Sequence, residues 1–441
     1  MLLQYSLLPI ALGAALSCLK TRVARSALTI LCSVIFLYLA YSLYTAANAN
    51  IGPIKSHALL WRFTIWDKHY EFLLSHNNCL LFLATSILWC ISTAYSAYYF
   101  SVKPANARII LFFMHIAFLC TLCILLSDNL TTMFVSYELL TISTAPMILQ
   151  NNHANARAVL QYLTLLTIGA TLLLTPCILL IHHATNSTIG HSIALAQHHN
   201  IALSLNQQIF LLFFIIFGLA KIPQIPLSQW INHAMCASYP VSALLHSALV
   251  VNSGIICFIK LSEFCNMDLL KAHQYHSLLF FPPLITIVYC GIKSVATHSL
   301  KNMLAYSTIN HINLCLLSLL LFTYEGQVNA QHYLIKHAFL KMTLFYTIGL
   351  LYIKTNSTTL NCIKGAGYQF PIIGITINLI NMALLGWLPF FYHAKIQMFI
   401  ELYKYSPYLS IGWIFNYLFS IIFSYRLAFY LYSSKALKAK N

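Results

Sequence analysis

The stretch RIILFFMHIAFLCTLCILLS, Arg108 to Ser127, decides the fold. It carries one cation, at its first position, and no acid, so as a helix it can cross a hydrocarbon core of roughly 30 Å. A membrane barrel would show alternation over roughly ten residues, whereas this run is continuous, and a helix satisfies its own backbone in lipid. Cys120 and Cys123 lie one turn apart within it. They read as small apolar fillers rather than metal ligands or a disulfide, and no metal site is expected.

Working outward, similar stretches recur along all 441 residues: about 3–19, 26–47, 78–98, 108–127, 130–149, 158–182, 207–229, 239–261, 277–296, 302–323, 330–353, 369–393 and 406–430. The expected fold is therefore all-α, a polytopic membrane helix bundle of about thirteen spans. Composition agrees: 60% of residues are hydrophobic and 7% charged, against roughly 25% charged in a soluble domain. The net charge of +16 would suggest nucleic acid in a soluble protein. Here the cations are scattered singly through short loops, so topology explains them and no nucleic acid is expected. Lys20, Arg22 and Arg25 follow the first apolar stretch instead of preceding it, so no cleavable leader is expected.

Loops after odd-numbered spans, with the C-terminal tail, hold fourteen Lys and Arg residues, and loops after even-numbered spans hold six, including Lys260. The positive-inside rule then puts the N-terminus outside and the C-terminus in the cytoplasm. The polar segments 48–77 and 183–206 read as solvated outer connections, with His182, His183, His198 and His199 as surface residues.

Four lysines remain within spans or at their ends: Lys221, Lys336, Lys341 and Lys395. Among eight acids only Glu138 lies well inside a span; Asp128 leads into the same helix and the other six fall in loops or at span ends. A charge at membrane depth costs about 2.5 kcal/mol or more, so it has a partner or a water-filled cavity. Glu138 and Lys221 form the first pair to consider. Burial disfavours the charge of each while pairing favours it, so a moving partner switches a lysine between holding and releasing a proton. Such a pair can also simply orient two helices, and Lys336 or Lys395 can snorkel to the interface. His115, His246, His332 and His337 could extend a proton path or serve as hydrogen-bonded core residues.

Pro223 and Pro226 follow Lys221, and Pro389 precedes Lys395, so two lysine-bearing spans are broken helices. The breaks fall five spans apart. That spacing divides the chain into N-terminal helices at 1–103 and two inverted five-helix repeats at 104–262 and 276–432, each containing a broken helix.

Several motifs now stand in order: DNLTTMFVSYELLTISTAPMIL from Asp128, FGLAKIPQIPLSQWINHAMCASYPVSALLHSALVVNSG from Phe217, LKNMLAYSTINHI from Leu300 and HAFLKMTLFYTIGLLY from His337. Together they resemble the antiporter-like subunits shared by respiratory complex I, including its subunit 5-like members, and Mrp-type cation/proton antiporters. The resemblance covers about 108–400 and is nearest the Mrp D subunit. It implies that Glu138 is the glutamate of the fifth helix, Lys221 the lysine of the seventh and His246 the relay of the eighth. It implies that His337 and Lys341 are the relay of the eleventh helix and Lys395 the lysine of the twelfth. The chain departs from the pattern at His233, where the family usually has Asp, and in GWLPFFYHAK, which keeps Gly386 and Pro389 of the family's Gly-Ile-Pro-Pro break but not the rest.

The expected function is a proton-translocating or monovalent cation/proton antiport subunit, carrying protons with Na+ or K+ among other membrane subunits of a Mrp-type or complex I-like assembly. The membrane would be a bacterial plasma membrane or the mitochondrial inner membrane. No nucleotide, flavin or iron–sulfur motif is visible, so no cofactor is expected and the chain is not catalytic by itself; oxidoreductase chemistry would belong to partners. The alternatives are a non-conducting structural subunit of the same kind of complex and, more remotely, a haem protein using histidine pairs.

Overall fold

The computed structural model describes residues 7–49, 57–65, 68–104, 106–149, 156–185, 203–265 and 275–433. Among them nine helices are long and apolar enough to cross a membrane, ten if a pair bent by 111° counts as one span. Leu8–Ser17 (α1) and Leu205–Gly218 (α8) are apolar but shorter. Leu300–Leu319 (α13) has the length, and its polar content, including Asn302, Asn310, His311 and Asn313, takes it below the others in hydropathy.

Two compact units divide the chain. The first comprises Met1–Lys221 and Ala248–His276, the second Ile222–Ser247 and Ser277–Asn441. In the first unit α1, α2 (Arg22–Ala49), α3 (His76–Val102), α4 (Ala107–Leu126) and α5 (Leu130–Leu149) pack in succession, α4 most extensively against α5. A π turn, Gly169–Leu174, joins α6 (Ala156–Ile168) to α7 (Thr175–Thr185) and packs on α8. Val250–Ser262 (α11) packs on α4, α5 and α8.

The second unit holds two short helices, α9 (Trp230–Ala234) and α10 (Tyr239–Ala243), then α12 (Phe281–Ala296), α13 and the 32-residue α14 (Tyr324–Thr355). It continues with α15 (Ala366–Gln369), α16 (Pro371–Leu385), α17 (Pro389–Tyr405) and α18 (Pro407–Tyr432). α14 packs against α10, α13, α16 and α17.

The structure corrects three sequence expectations. Part of the 48–77 segment is an antiparallel hairpin, β1 (His57–Ile65) with β2 (Lys68–Ser75), shifted in register between Leu59 and Trp61. Its short aromatic and β-branched runs suit a pleated pair, and Phe72 and Leu74 are buried. Lys260, counted among the loops, is buried in α11, where its ammonium donates to the carbonyls of Ile124, Leu125 and Ser127 at 2.8, 2.9 and 2.5 Å. A cation there satisfies carbonyls that the end of α4 leaves unpaired. Glu401, also taken as a loop or span-end acid, is buried in α17. His182 and His183 form the last turn of α7, half-buried and exposed; His198 and His199 lie outside the described residues.

Candidate functional site

In the first unit, close backbone approach sets where α8 stops. A Cβ on Gly218 would stand 2.7 Å from the Leu174 nitrogen, and one on Gly169 would stand 2.5 Å from Ala220. The two glycines therefore let the end of α8 lie directly on the π turn, and the helix gives way at Leu219.

Lys221, fully buried, follows at once. Its ammonium donates to the Tyr137 carbonyl at 2.8 Å and the Thr141 hydroxyl at 2.7 Å, and lies 3.1 Å from the centre of the Tyr137 ring. Its backbone N–H donates to the Tyr137 hydroxyl at 3.1 Å. Desolvated cation–ring contacts are worth about 2 kcal/mol, so one turn of α5 supplies the whole anchor. The ammonium's hydrogen bonds go to uncharged oxygens and not to Glu138. Glu138 is half-buried, with Oε1 enclosed and without a protein hydrogen-bond partner. Asp128 is buried, and its Oδ2 also lacks such a partner. His115 is a core residue, bonded through Nδ1 to the Leu111 carbonyl at 2.8 Å and set edge-on to Trp89.

In the second unit the backbone freed by Pro223 and Pro226 finds side-chain partners. Asn313 donates to the Pro223 carbonyl at 2.9 Å, and the Ile225 N–H donates to Thr286 at 3.3 Å. His246 is fully buried in a π turn, Leu244–Ala248, with Trp230 and Phe345 rings each 6.1 Å away. Neither of its nitrogens has a protein hydrogen-bond partner. His233 is half-buried in α9.

The second break is sharp. Gly386, at φ +82°, closes α16 with its N–H on the Ala383 carbonyl and the Trp387 N–H on the Met382 carbonyl, both 3.0 Å, a Schellman motif. Pro389 then opens α17, where its missing N–H costs nothing. The Leu384 carbonyl, left without a helical partner, accepts from the Lys395 ammonium at 3.0 Å. Lys395 is buried, 4.8 Å from the centre of the Tyr417 ring.

Lys341 is fully buried in α14 and donates to Ser307 at 2.6 Å. One turn earlier, the His337 ring lies 5.5 Å from that of His311, whose Nδ1 is hydrogen-bonded with the Tyr333 hydroxyl. His311, Tyr333, Lys336, His337 and Lys395 line one cavity of about 20 Å³, room for about one water. The structure thus gathers His337, Lys341 and Lys395 with Lys336, which is half-buried, while His332 is exposed.

Sequence reasoning missed Tyr137, Thr141, Ser307, His311 and Tyr333. Helical spacing carried the signal for some: Thr141 follows Tyr137 by four residues, as His337 follows Tyr333 and Lys341 follows His337. His311 stood in the LKNMLAYSTINHI motif without being singled out.

Residues 127–422 match the model of the NADH:quinone oxidoreductase/Mrp antiporter transmembrane family. Antiporter subunit mnhA2 of Staphylococcus haemolyticus is 26% identical over 369 residues, 78% of this chain and 44% of that protein. Its Staphylococcus aureus counterpart is 24% identical over 425 residues, covering 88% and 51%. The chain spans about half the length of these curated relatives. A chain of an archaeal membrane-bound sulfane sulfur reductase superposes with a TM-score of 0.86 at 19% identity, covering 100% of this chain and 89% of that one. One from Thermus thermophilus respiratory complex I gives 0.84 at 18%, covering 99% and 90%. One from the Mrp complex of Dietzia sp. gives 0.85 at 19%, covering 100% and 48%. These likenesses establish the fold, and the family match extends over most of the chain. This is a multi-pass membrane protein belonging to the NADH:quinone oxidoreductase/Mrp antiporter family.

Proposed function

We propose that the chain is a proton-translocating or monovalent cation/proton antiport subunit of a multi-subunit membrane complex. One observation carries this reading: Lys221, Lys341 and Lys395 are all buried, and all are held by carbonyl or hydroxyl oxygens instead of carboxylates. A lysine bonded directly to a buried carboxylate releases its proton only when that acid moves away or takes up a proton itself. A lysine held by neutral acceptors can give up a proton and still donate a hydrogen bond, as transfer requires.

In this reading Glu138 and Lys221 form the switching pair of one half, the repeat at 104–262. His337, Lys341 and Lys395 form the relay of the other, at 276–432, and His246 is a further relay group. The partners are other membrane subunits of a Mrp-type or complex I-like assembly, and Na+ or K+ is the counter-ion where exchange occurs. The N-terminus faces outward and the C-terminus the cytoplasm, or the matrix in a mitochondrion.

The test is proton movement in vesicles reconstituted with the whole complex. Lys221→Ala abolishes coupled movement while the complex still assembles. Full transport by that variant would defeat the Glu138–Lys221 switch, and full transport by Lys341→Ala as well would leave the non-conducting structural subunit as the reading.

A further inference from the structure

Glu401 lies six residues beyond Lys395 on α17 and is 8% exposed. Asn329 donates to its Oε1 at 2.7 Å. Its Oε2 is enclosed, accepts from no donor among the described residues and points at the first turn of α14, 3.7 Å from where a Cβ on Gly326 would stand, with the Glu325 carboxyl close enough to share a proton with Glu401. The Gly326 N–H is already taken by the Thr323 hydroxyl at 3.0 Å, so the carboxylate is not the cap of α14. Two exposed charged groups act on it, Glu325 from the first turn of α14 and Lys404 from its own helix.

Asn329 belongs to a polar stripe. Glu325, Asn329, Tyr333, His337 and Lys341 follow one another at four-residue intervals on α14, each the surface neighbour of the next, in a row that winds partly around the helix from its exposed to its buried side over about 24 Å at 1.5 Å per residue. The stripe begins at an exposed acid, passes the buried Glu401 and reaches the cavity shared by Tyr333, His337 and Lys395.

We infer that Glu401, positioned by Asn329 and flanked by Glu325, is the aqueous port of the second half. It is the group through which that half exchanges protons with the solvent at the start of α14. The inference rests on the transport reading above. The step is simple: Oε2 takes one proton from hydronium, forming an O–H bond and releasing water, and gives one proton inward past Asn329, which only positions the carboxyl, to a ring nitrogen of His337, restoring the carboxylate and leaving an imidazolium that hands the proton on. In the opposite direction the same two transfers run in reverse.

The test uses the reconstituted whole complex with a pH-sensitive dye inside the vesicles. Glu401→Gln keeps the oxygen that Asn329 bonds but cannot carry a proton, so flux falls at least about tenfold while assembly is unchanged, and Glu401→Asp recovers part of it. Infrared difference spectra across a pH jump show a carboxyl band that Glu401→Gln removes, and Glu325→Gln shifts the pH profile of flux. Wild-type flux in Glu401→Gln, beside an inactive Lys341→Ala, overturns the port and leaves the transport reading standing. So does a wild-type spectrum with no band assignable to Glu401, which makes the residue a tie between α17 and α14. Full flux in both Lys221→Ala and Lys341→Ala defeats the transport reading itself and the port with it.

Discussion

Lys221 and Lys395 each stand beside a broken helix, yet they are held in different ways. Lys221 precedes its prolines and is gripped by another helix, through the carbonyl, ring and hydroxyl of Tyr137 and the hydroxyl of Thr141. Lys395 follows its break and reaches back across Gly386 to the carbonyl of Leu384, on the half-helix that the chain has just left. The company differs too. The first unit sets one lysine beside a helix turn that carries a carboxylate. The second sets Lys336 and Lys395 with His311, Tyr333 and His337 around one small cavity, and no acid lines it among the described residues. In the proposed reading the first unit works as a switching pair, and the second as a chain of neighbouring groups.

That contrast predicts unequal consequences. After the abolition expected of Lys221→Ala, the largest is expected for Lys341→Met, which preserves buried volume but removes a proton carrier from the second unit. Coupled flux in reconstituted vesicles falls about a hundredfold, the scale of a lost proton-transfer group; a variant within twofold of wild type would remove Lys341 from the path. A smaller effect is expected for Thr141→Val. It takes away one of the two oxygens on the Lys221 ammonium, a bond to a charged group worth about 1.5–3 kcal/mol. Flux falls roughly tenfold and Thr141→Ser restores it, as read from initial rates of vesicle acidification. If Thr141→Val and Thr141→Ser behave alike, the hydroxyl is not the anchor and the contrast between the units loses its physical basis.

The sequence carried the class of fold openly, because nothing but helices can hold runs like Arg108 to Ser127 in lipid. It carried both breaks as well, since Gly386 and Pro389 act through their own backbones, and so do Pro223 and Pro226. What it could not carry was the partnership of each charge. Lys260 and Lys395 look alike in composition, and both donate to carbonyls at the end of a helix, α4 in one case and α16 in the other. Loop accounting put one outside the membrane and the other inside it, because three-dimensional packing alone decides which carbonyls face which cation. Glu138 drew attention as the acid of its helix, while the residues that hold Lys221 were its neighbours Tyr137 and Thr141, uncharged and so invisible to a search for charges. Glu401 escaped for the opposite reason: it lies near the end of a span, where exposure is the ordinary expectation for an acid.

The smallest predicted effect bears on how the second break is made. Gly386 holds φ +82°, and a Cβ placed on it would meet nothing closer than 3.6 Å, the Lys395 side chain. Space therefore does not exclude alanine there; only the left-handed backbone does, at a cost of about 1–2 kcal/mol. Gly386→Ala should lower the thermal unfolding midpoint of the purified complex by a few degrees, while the protein that remains folded keeps its flux. Loss of flux without loss of stability would mean that the break itself moves during transport. The Leu384 carbonyl and the Lys395 ammonium would then be parting and meeting, and the second unit would hold a moving pair like the one assigned to the first.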